Sequence, residues 1–209
     1  MDKPGAGKGG CLIAGAIALV LVVIAVLAGG GIYAYRFYHA LRGCSSEVPM
    51  TVEVPPLNKD SEKSLEDKYG LLEKNIREHH AVVVEIDNEE LSSMVAKVGE
   101  AVGMDNARLW LDDDAVHGEM AVPIKDQNGG VRYINTKFAA NLSIRNRKVN
   151  LKILECTIGE SRIPGFLLGL LNAQGFDRII EESIDPKAFA AIDSVEVKDG
   201  KLIISTKAN

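Results

Sequence analysis

The pattern of apolar and polar positions divides the chain near residue 36. Cys11 to Tyr35 is a run of 25 residues without a charge. As a helix rising about 1.5 Å per residue it reaches about 37 Å, enough to cross a hydrocarbon core of about 30 Å with some tilt. A cleaved signal peptide would carry a shorter apolar region, about 7–15 residues, and then a small-residue cleavage site. Here Tyr33, Tyr35, Arg36, Phe37 and Tyr38 follow, and such aromatics suit a membrane–water interface. The run therefore predicts an uncleaved signal-anchor, a single-pass transmembrane helix. Its flanking charges are nearly balanced, with Lys3 and Lys8 before it and Arg36 and Arg42 after it, so they barely orient it. A short tail inside and a large domain outside is the commoner arrangement, which makes the rest of the chain extracytoplasmic.

Beyond the anchor the pattern turns polar. Pro49, Pro55 and Pro56 among polar residues favour an extended chain over a packed one. Leu65, Tyr69, Leu72 and Ile76 then recur at helical spacing and predict an amphipathic helix from Ser61 to His80, with Glu73 and Arg77 paired across one turn. Ala81 to Ile86 reads as a strand. Asp87 and Glu90 stand at the spacing of a capping box, ahead of a second helix whose buried stripe is Leu91, Met94, Val95 and Val98.

From Ala107 the period becomes two. Leu109 and Leu111 begin it, and Asp112-Asp113-Asp114 turns the chain. Val116, Gly118, Met120, Val122 and Ile124 share a face, and after a turn at Gln127–Gly130 so do Ile134, Thr136, Phe138, Ala140, Leu142 and Ile144. Asn135, Lys137, Asn141, Ser143 and Arg145 face water, the pattern of an antiparallel sheet with one dry side. In the next strand the parity flips at Ile153-Leu154, which predicts a bulge or a change of environment. Ile163 to Leu171 is the most apolar stretch after the anchor, with Pro164 suited to a first helical turn. A helical piece from Phe176 to Ile184 follows and stops at Asp185-Pro186. Asp199-Gly200 closes a hairpin that pairs Val197 with Leu202 and Val195 with Ile204.

The resulting organisation is a short tail over 1–10, the transmembrane helix over 11–35, a juxtamembrane linker over 36–60 and a soluble domain over 61–209. The fold class is α+β, a curved antiparallel sheet packed on helices.

Composition removes some functions. Residues 1–35 hold only Asp2, Lys3 and Lys8 as charged side chains, a net +1, so residues 36–209 carry −6 of the overall −5. A mildly acidic domain does not suit nucleic acid, where affinity comes from neutralised phosphates. The three cysteines cannot build a disulfide scaffold. None of the four histidines has a partner at metal-ligand spacing, and Asp112-Asp113-Asp114 lacks the further oxygen ligands of a calcium loop. Cys156 alternates with apolar residues and reads as core. Glu89-Glu90 and Glu181-Glu182 are neighbours on helices and point apart, so neither is a catalytic dyad. No catalytic residue, metal ligand or cofactor is expected.

Ile86-Asp87-Asn88-Glu89-Glu90-Leu91 opens a helix ahead of the long strands. Arg147 to Leu151 leads through Ile158-Gly159 to Ile163-Pro164 and the apolar helix, and Val195 to Leu202 closes the chain. Over about residues 81–206 this order resembles the bacterial envelope proteins of the YpmS type and the LmeA-like type, single anchors or signal sequences followed by a domain similar to the tubular lipid-binding (TULIP-like) fold. The resemblance implies a sheet wrapped round a helix that can hold an acyl chain, and it transfers no invariant ligand residue. The function expected is a non-catalytic binding domain for lipid or another apolar ligand, tethered to the cell membrane. Its partners are the bilayer, a lipid or acyl ligand and envelope proteins. The alternative is a structural or adaptor subunit of an envelope assembly. The residues expected to line the ligand are Gly118, Phe138, Ala140 and Leu142 on the dry face, with Phe166 and Leu170 on the apolar helix. Small side chains at Gly118 and Ala140 would leave room between larger ones.

Overall fold

The computed structural model describes residues 45–55, 58–102, 106–125, 130–146, 148–173 and 186–208. The apolar run 11–35, most of the turn expected at Gln127–Gly130 and the helical piece expected at Phe176–Ile184 lie outside them. Among the described residues no helix is long and apolar enough to cross a membrane.

The fold is α+β, an open antiparallel eight-stranded sheet with helices against it. Helix α1 (Lys59–Glu78) leads to β1 (Val83–Ile86), α2 (Asn88–Val102), β2 (Ala107–Asp112), β3 (Ala115–Lys125), β4 (Val131–Arg145), β5 (Lys148–Ile158) and β6 (Ser161–Arg162). Helices α3 (Gly165–Ala173) and α4 (Pro186–Ala191) precede the closing hairpin of β7 (Ile192–Lys198) and β8 (Lys201–Thr206).

Strand β4 organises the sheet because it is long enough for three partners. Its residues 136–145 pair with β5 along one edge. The other edge pairs with β3 over 131–140 and then with β7 over 143–145. The β2–β3 and β7–β8 hairpins therefore meet tip to tip beside β4. Asp113, in a left-handed conformation at one tip, accepts a 2.8 Å hydrogen bond at its carbonyl from the Gly200 N–H of the other. Asp199 and Gly200 both have positive φ, as a tight two-residue turn between twisted strands requires. The expected pairs Val197–Leu202 and Val195–Ile204 are present. The expected irregularity is also present: Ala139 faces Glu155 and Ala140 faces Ile153, so Leu154 is the extra residue of a bulge.

Helices α1 and α2 cover the dry face, and Leu65, Leu72, Leu91, Met94 and Val95 join one core with the inward strand residues. The capping box forms, with Asp87 Oδ1 accepting from the Glu90 N–H and Glu90 Oε2 accepting from the Asp87 N–H, both at 3.0 Å. Helix α1 begins two residues earlier than expected, on an Asn58 cap, and ends at a left-handed His79 whose N–H and that of His80 reach the Ile76 and Asn75 carbonyls. Pro186 opens α4, where its fixed φ and missing N–H suit a first turn.

The segment from Ser45 is extended, as its prolines dictate, but it is docked on the sheet. Ser46 and Tyr133 exchange both backbone hydrogen bonds, at 2.9 and 2.8 Å, beside the stretch of β4 that β5 leaves free. Asn135 then donates to the Val48 carbonyl and accepts from the Met50 N–H, and Val52 is buried. Two alanines on the side expected to be wet, Ala121 and Ala139, are buried as well.

Candidate apolar-ligand site

The residues expected to line a ligand fall into two separate regions. Gly118, Phe138, Ala140 and Leu142 stand together on the dry face, where β3 pairs Gly118 with Phe138 and Val116 with Ala140. All four are buried. The room expected at Gly118 is occupied. A Cβ built there would lie 2.2 Å from Phe138 Cε1 and Cζ and 2.7 Å from Leu109 Cδ2. The Phe138 ring therefore lies over the Gly118 backbone, and the glycine is needed for that close approach. Ala140, 3% exposed, sits between Val116 and Ile153. This part of the face is a filled core.

Phe166 and Leu170 belong to α3 and point away from that core, 71% and 58% exposed, and Leu167 joins them at 38%. The helix has no charged residue from Gly165 to Ala173. It is held by its other side, where Leu168 is buried and Asn172 clasps β5. The Asn172 amide accepts from the Ile153 N–H at 2.8 Å and donates to the Ile153 carbonyl at 3.0 Å, taking the place of a neighbouring strand. Asn88 on α2 does the same for Leu111 on β2, at 2.6 and 2.9 Å. Strands β2 and β5 thus each have an asparagine covering backbone groups that would otherwise offer an open edge. Nothing in the periodicity distinguished these asparagines from ordinary polar surface. Their signal is an isolated amide at the start or end of a helix beside an outer strand.

The ionisable groups are tied down. Glu90, 3% exposed, receives Lys68 Nζ at 2.5 and 2.7 Å and the Ser64 hydroxyl at 2.6 Å. Burial pushes its carboxyl up, but the bonds from Lys68, Ser64 and the Asp87 N–H, with the charge of Lys68, outweigh this and hold it below the ordinary carboxylate value. Burial, and then the nearby Glu90 charge, raise the Tyr69 hydroxyl to about 12. Burial alone raises the Cys156 thiol to about 11, which leaves it protonated and a poor nucleophile at neutral pH. On the opposite side of the sheet Trp110 stacks on His117 across the β2–β3 pair, ring centres 5.4 Å apart, with the Arg108 guanidinium 5.1 Å from the Trp110 ring. Strand parity places these three opposite Leu109 and Gly118, a signal the sequence reading did not use.

A groove of about 480 Å³ runs along α1, lined by Asp60, Lys63, Ser64, Asp67, Lys68 and Leu71. Its walls are charged and it suits no apolar ligand. Among the described residues no three His, Cys, Asp or Glu side chains gather where they could hold a metal ion. Among the described residues, the outward face of α3 gathers three large exposed apolar side chains, Phe166, Leu167 and Leu170, on one helix. Comparison with known protein families, curated proteins and solved structures found no match for the chain.

Proposed function

We propose that the chain is a membrane-tethered, extracytoplasmic and non-catalytic domain that binds lipid or another apolar ligand, held to the cell membrane by Cys11–Tyr35 as a single-pass helix. We take its sheet and helices as a TULIP-like arrangement of the YpmS and LmeA-like kind. The observation that carries the ligand class is the α3 surface, where Phe166, Leu167 and Leu170 are exposed on a helix without a charge. Contiguous exposed apolar patches mark contact sites for lipid, protein or ligand when they are large. The filled contact between Gly118 and Phe138 favours binding at α3 over a tunnel along the dry face.

That same filled contact favours a second reading, an adaptor subunit of an envelope assembly with protein as its partner. Native mass spectrometry of residues 45–209 separates the two, the docked segment being kept. Co-purifying lipid mass is expected on the wild type and lost from the Phe166→Asp/Leu170→Asp double variant. A wild type free of lipid and unresponsive to micromolar acyl probe rejects lipid in favour of the adaptor. Orientation is tested by labelling intact cells with a membrane-impermeant thiol reagent, which should reach Cys44. Labelling of an unmodified Cys44 only after lysis reverses the topology.

A further inference from the structure

We infer that the outward face of α3 inserts into the surface of the same bilayer that the Cys11–Tyr35 helix crosses, giving the domain a second attachment and a fixed orientation. The inference rests on the anchor reading above and names the apolar partner as the assembled membrane, as opposed to a single extracted lipid.

The path of the chain into the sheet makes the case. Nine residues lie between Tyr35 and Ser45, and the ten steps from one to the other, at about 3.3–3.6 Å each, reach at most about 35 Å. The chain then enters the sheet at Ser46, opposite Tyr133. Arg132 fastens that point, Nε to the Ser45 hydroxyl at 2.8 Å and Nη2 to the Ser45 carbonyl at 2.7 Å. Thr136, three residues along β4, pairs with Ile158 at the end of β5, about 10 Å away at the rise of a strand. The Gly159 N–H, at the turn after β5, bonds to the Asn135 carbonyl at 2.7 Å. From this turn β6 leads directly to Pro164 and α3. The tether and the apolar helix therefore leave the sheet at one corner, and a short tether holds that corner near the membrane.

The chemistry of the corner fits insertion better than electrostatic adsorption. Arg162, the charged residue just before α3, is paired with Glu155 at 2.8 Å, and α3 itself is uncharged. Helices lying in the interface bury their apolar side about 5–10 Å into the boundary between headgroups and acyl chains. Phe166, Leu167 and Leu170 stand on the side of α3 away from Asn172 and Leu168, free to do so.

The test uses the full chain carrying Phe166→Trp, reconstituted into phosphatidylcholine vesicles with and without bromine on the upper acyl chain. Trp110, on β2 at the edge of the sheet away from β5 and α3, is the internal reference, and the wild type gives its signal alone. The added Trp emission should be lost in brominated vesicles while the Trp110 emission persists. Adding phosphatidylglycerol or salt should change neither. An added Trp that stays unquenched in a chain firmly held by the vesicles overturns the inference and leaves the anchor intact, including the case in which its emission is shifted because a second copy or another part of this chain covers α3. Quenching that requires anionic lipid and disappears in salt overturns insertion in favour of adsorption. A chain released from the vesicles by alkaline wash overturns the anchor reading and the inference with it. Leu170→Asp, added to Phe166→Trp, should restore the lost emission without releasing the chain. Continued quenching in that variant also overturns the inference.

Discussion

Two apolar surfaces that look equivalent along the chain have opposite fates in the molecule. Around Gly118 and Phe138 every apolar side chain is met by another, down to an aromatic ring resting on a bare backbone. On α3 only one side is met, and Phe166 and Leu170 are left outside. The difference lies in what each element can reveal about itself. A strand with apolar residues at every second position declares which side is dry. A helix with leucine or phenylalanine on nearly every side and no charge, such as Gly165 to Ala173, does not say which side faces the core.

The sharpest test of the filled region is Phe138→Ala, which removes the ring over Gly118. It should lower unfolding free energy by about 3–5 kcal/mol in denaturant titration, and a loss below 1 kcal/mol would mean that the ring is not packed as described. Ala140→Trp is expected to overpack the same face and cost about 1–3 kcal/mol. If this variant keeps its melting temperature and loses only acyl-probe uptake, a tunnel exists there and the contrast with α3 collapses.

Glu90→Gln tests the layer that closes the core from above. It should cost about 1–2 kcal/mol at neutral pH by weakening the bonds from Lys68 and Ser64. Because the folded Glu90 carboxyl is held below its ordinary value, its contribution is present above the carboxylate range and disappears as pH falls through it. The stability gap between wild type and Glu90→Gln should therefore narrow on acidification, and a gap independent of pH would detach Glu90 from the effect. The smallest change belongs to α3, where Leu170→Ser should alter stability by no more than about 0.5 kcal/mol. A larger loss would show that Leu170 is covered, and the two surfaces would no longer differ.

Much of the sheet was legible because its signals are local. Asp199-Gly200 determines a hairpin register within six residues, Asp87 and Glu90 determine a helix start within four, and the parity flip at Ile153-Leu154 locates a bulge. Docked residues were not legible in the same way. The prolines before residue 58 specify extension, but whether an extended chain lies on a sheet depends on partners 85 residues away, such as Asn135 for Met50. The buried alanines at 121 and 139 escaped for a related reason: a small residue on a polar face carries no mark of what lies over it. The candidate site divided because Phe166 and Leu170, on the apolar helix, were joined to the dry-face residues by apolar character and nearness in sequence alone, while Gly118 was read as room with no knowledge of where the Phe138 ring would lie.

The pairing of β1 with β8 has a consequence for how the molecule assembles. Strands β2 to β5 form a succession of neighbours, each joined to the next by a short connection, and can zip together locally. Val83 instead waits for Ser205 and Ile86 for Leu202, more than a hundred residues later. Closing so long a loop loses chain entropy before any contact compensates for it, so distant pairings of this kind slow folding. The meander is thus suited to form early, and β1, with α1 and α2 on either side of it in the chain, to lock late. Before that closure the edge of β8 that receives β1 would be open, which makes this strand the point where the incomplete molecule is most exposed to pairing with another chain.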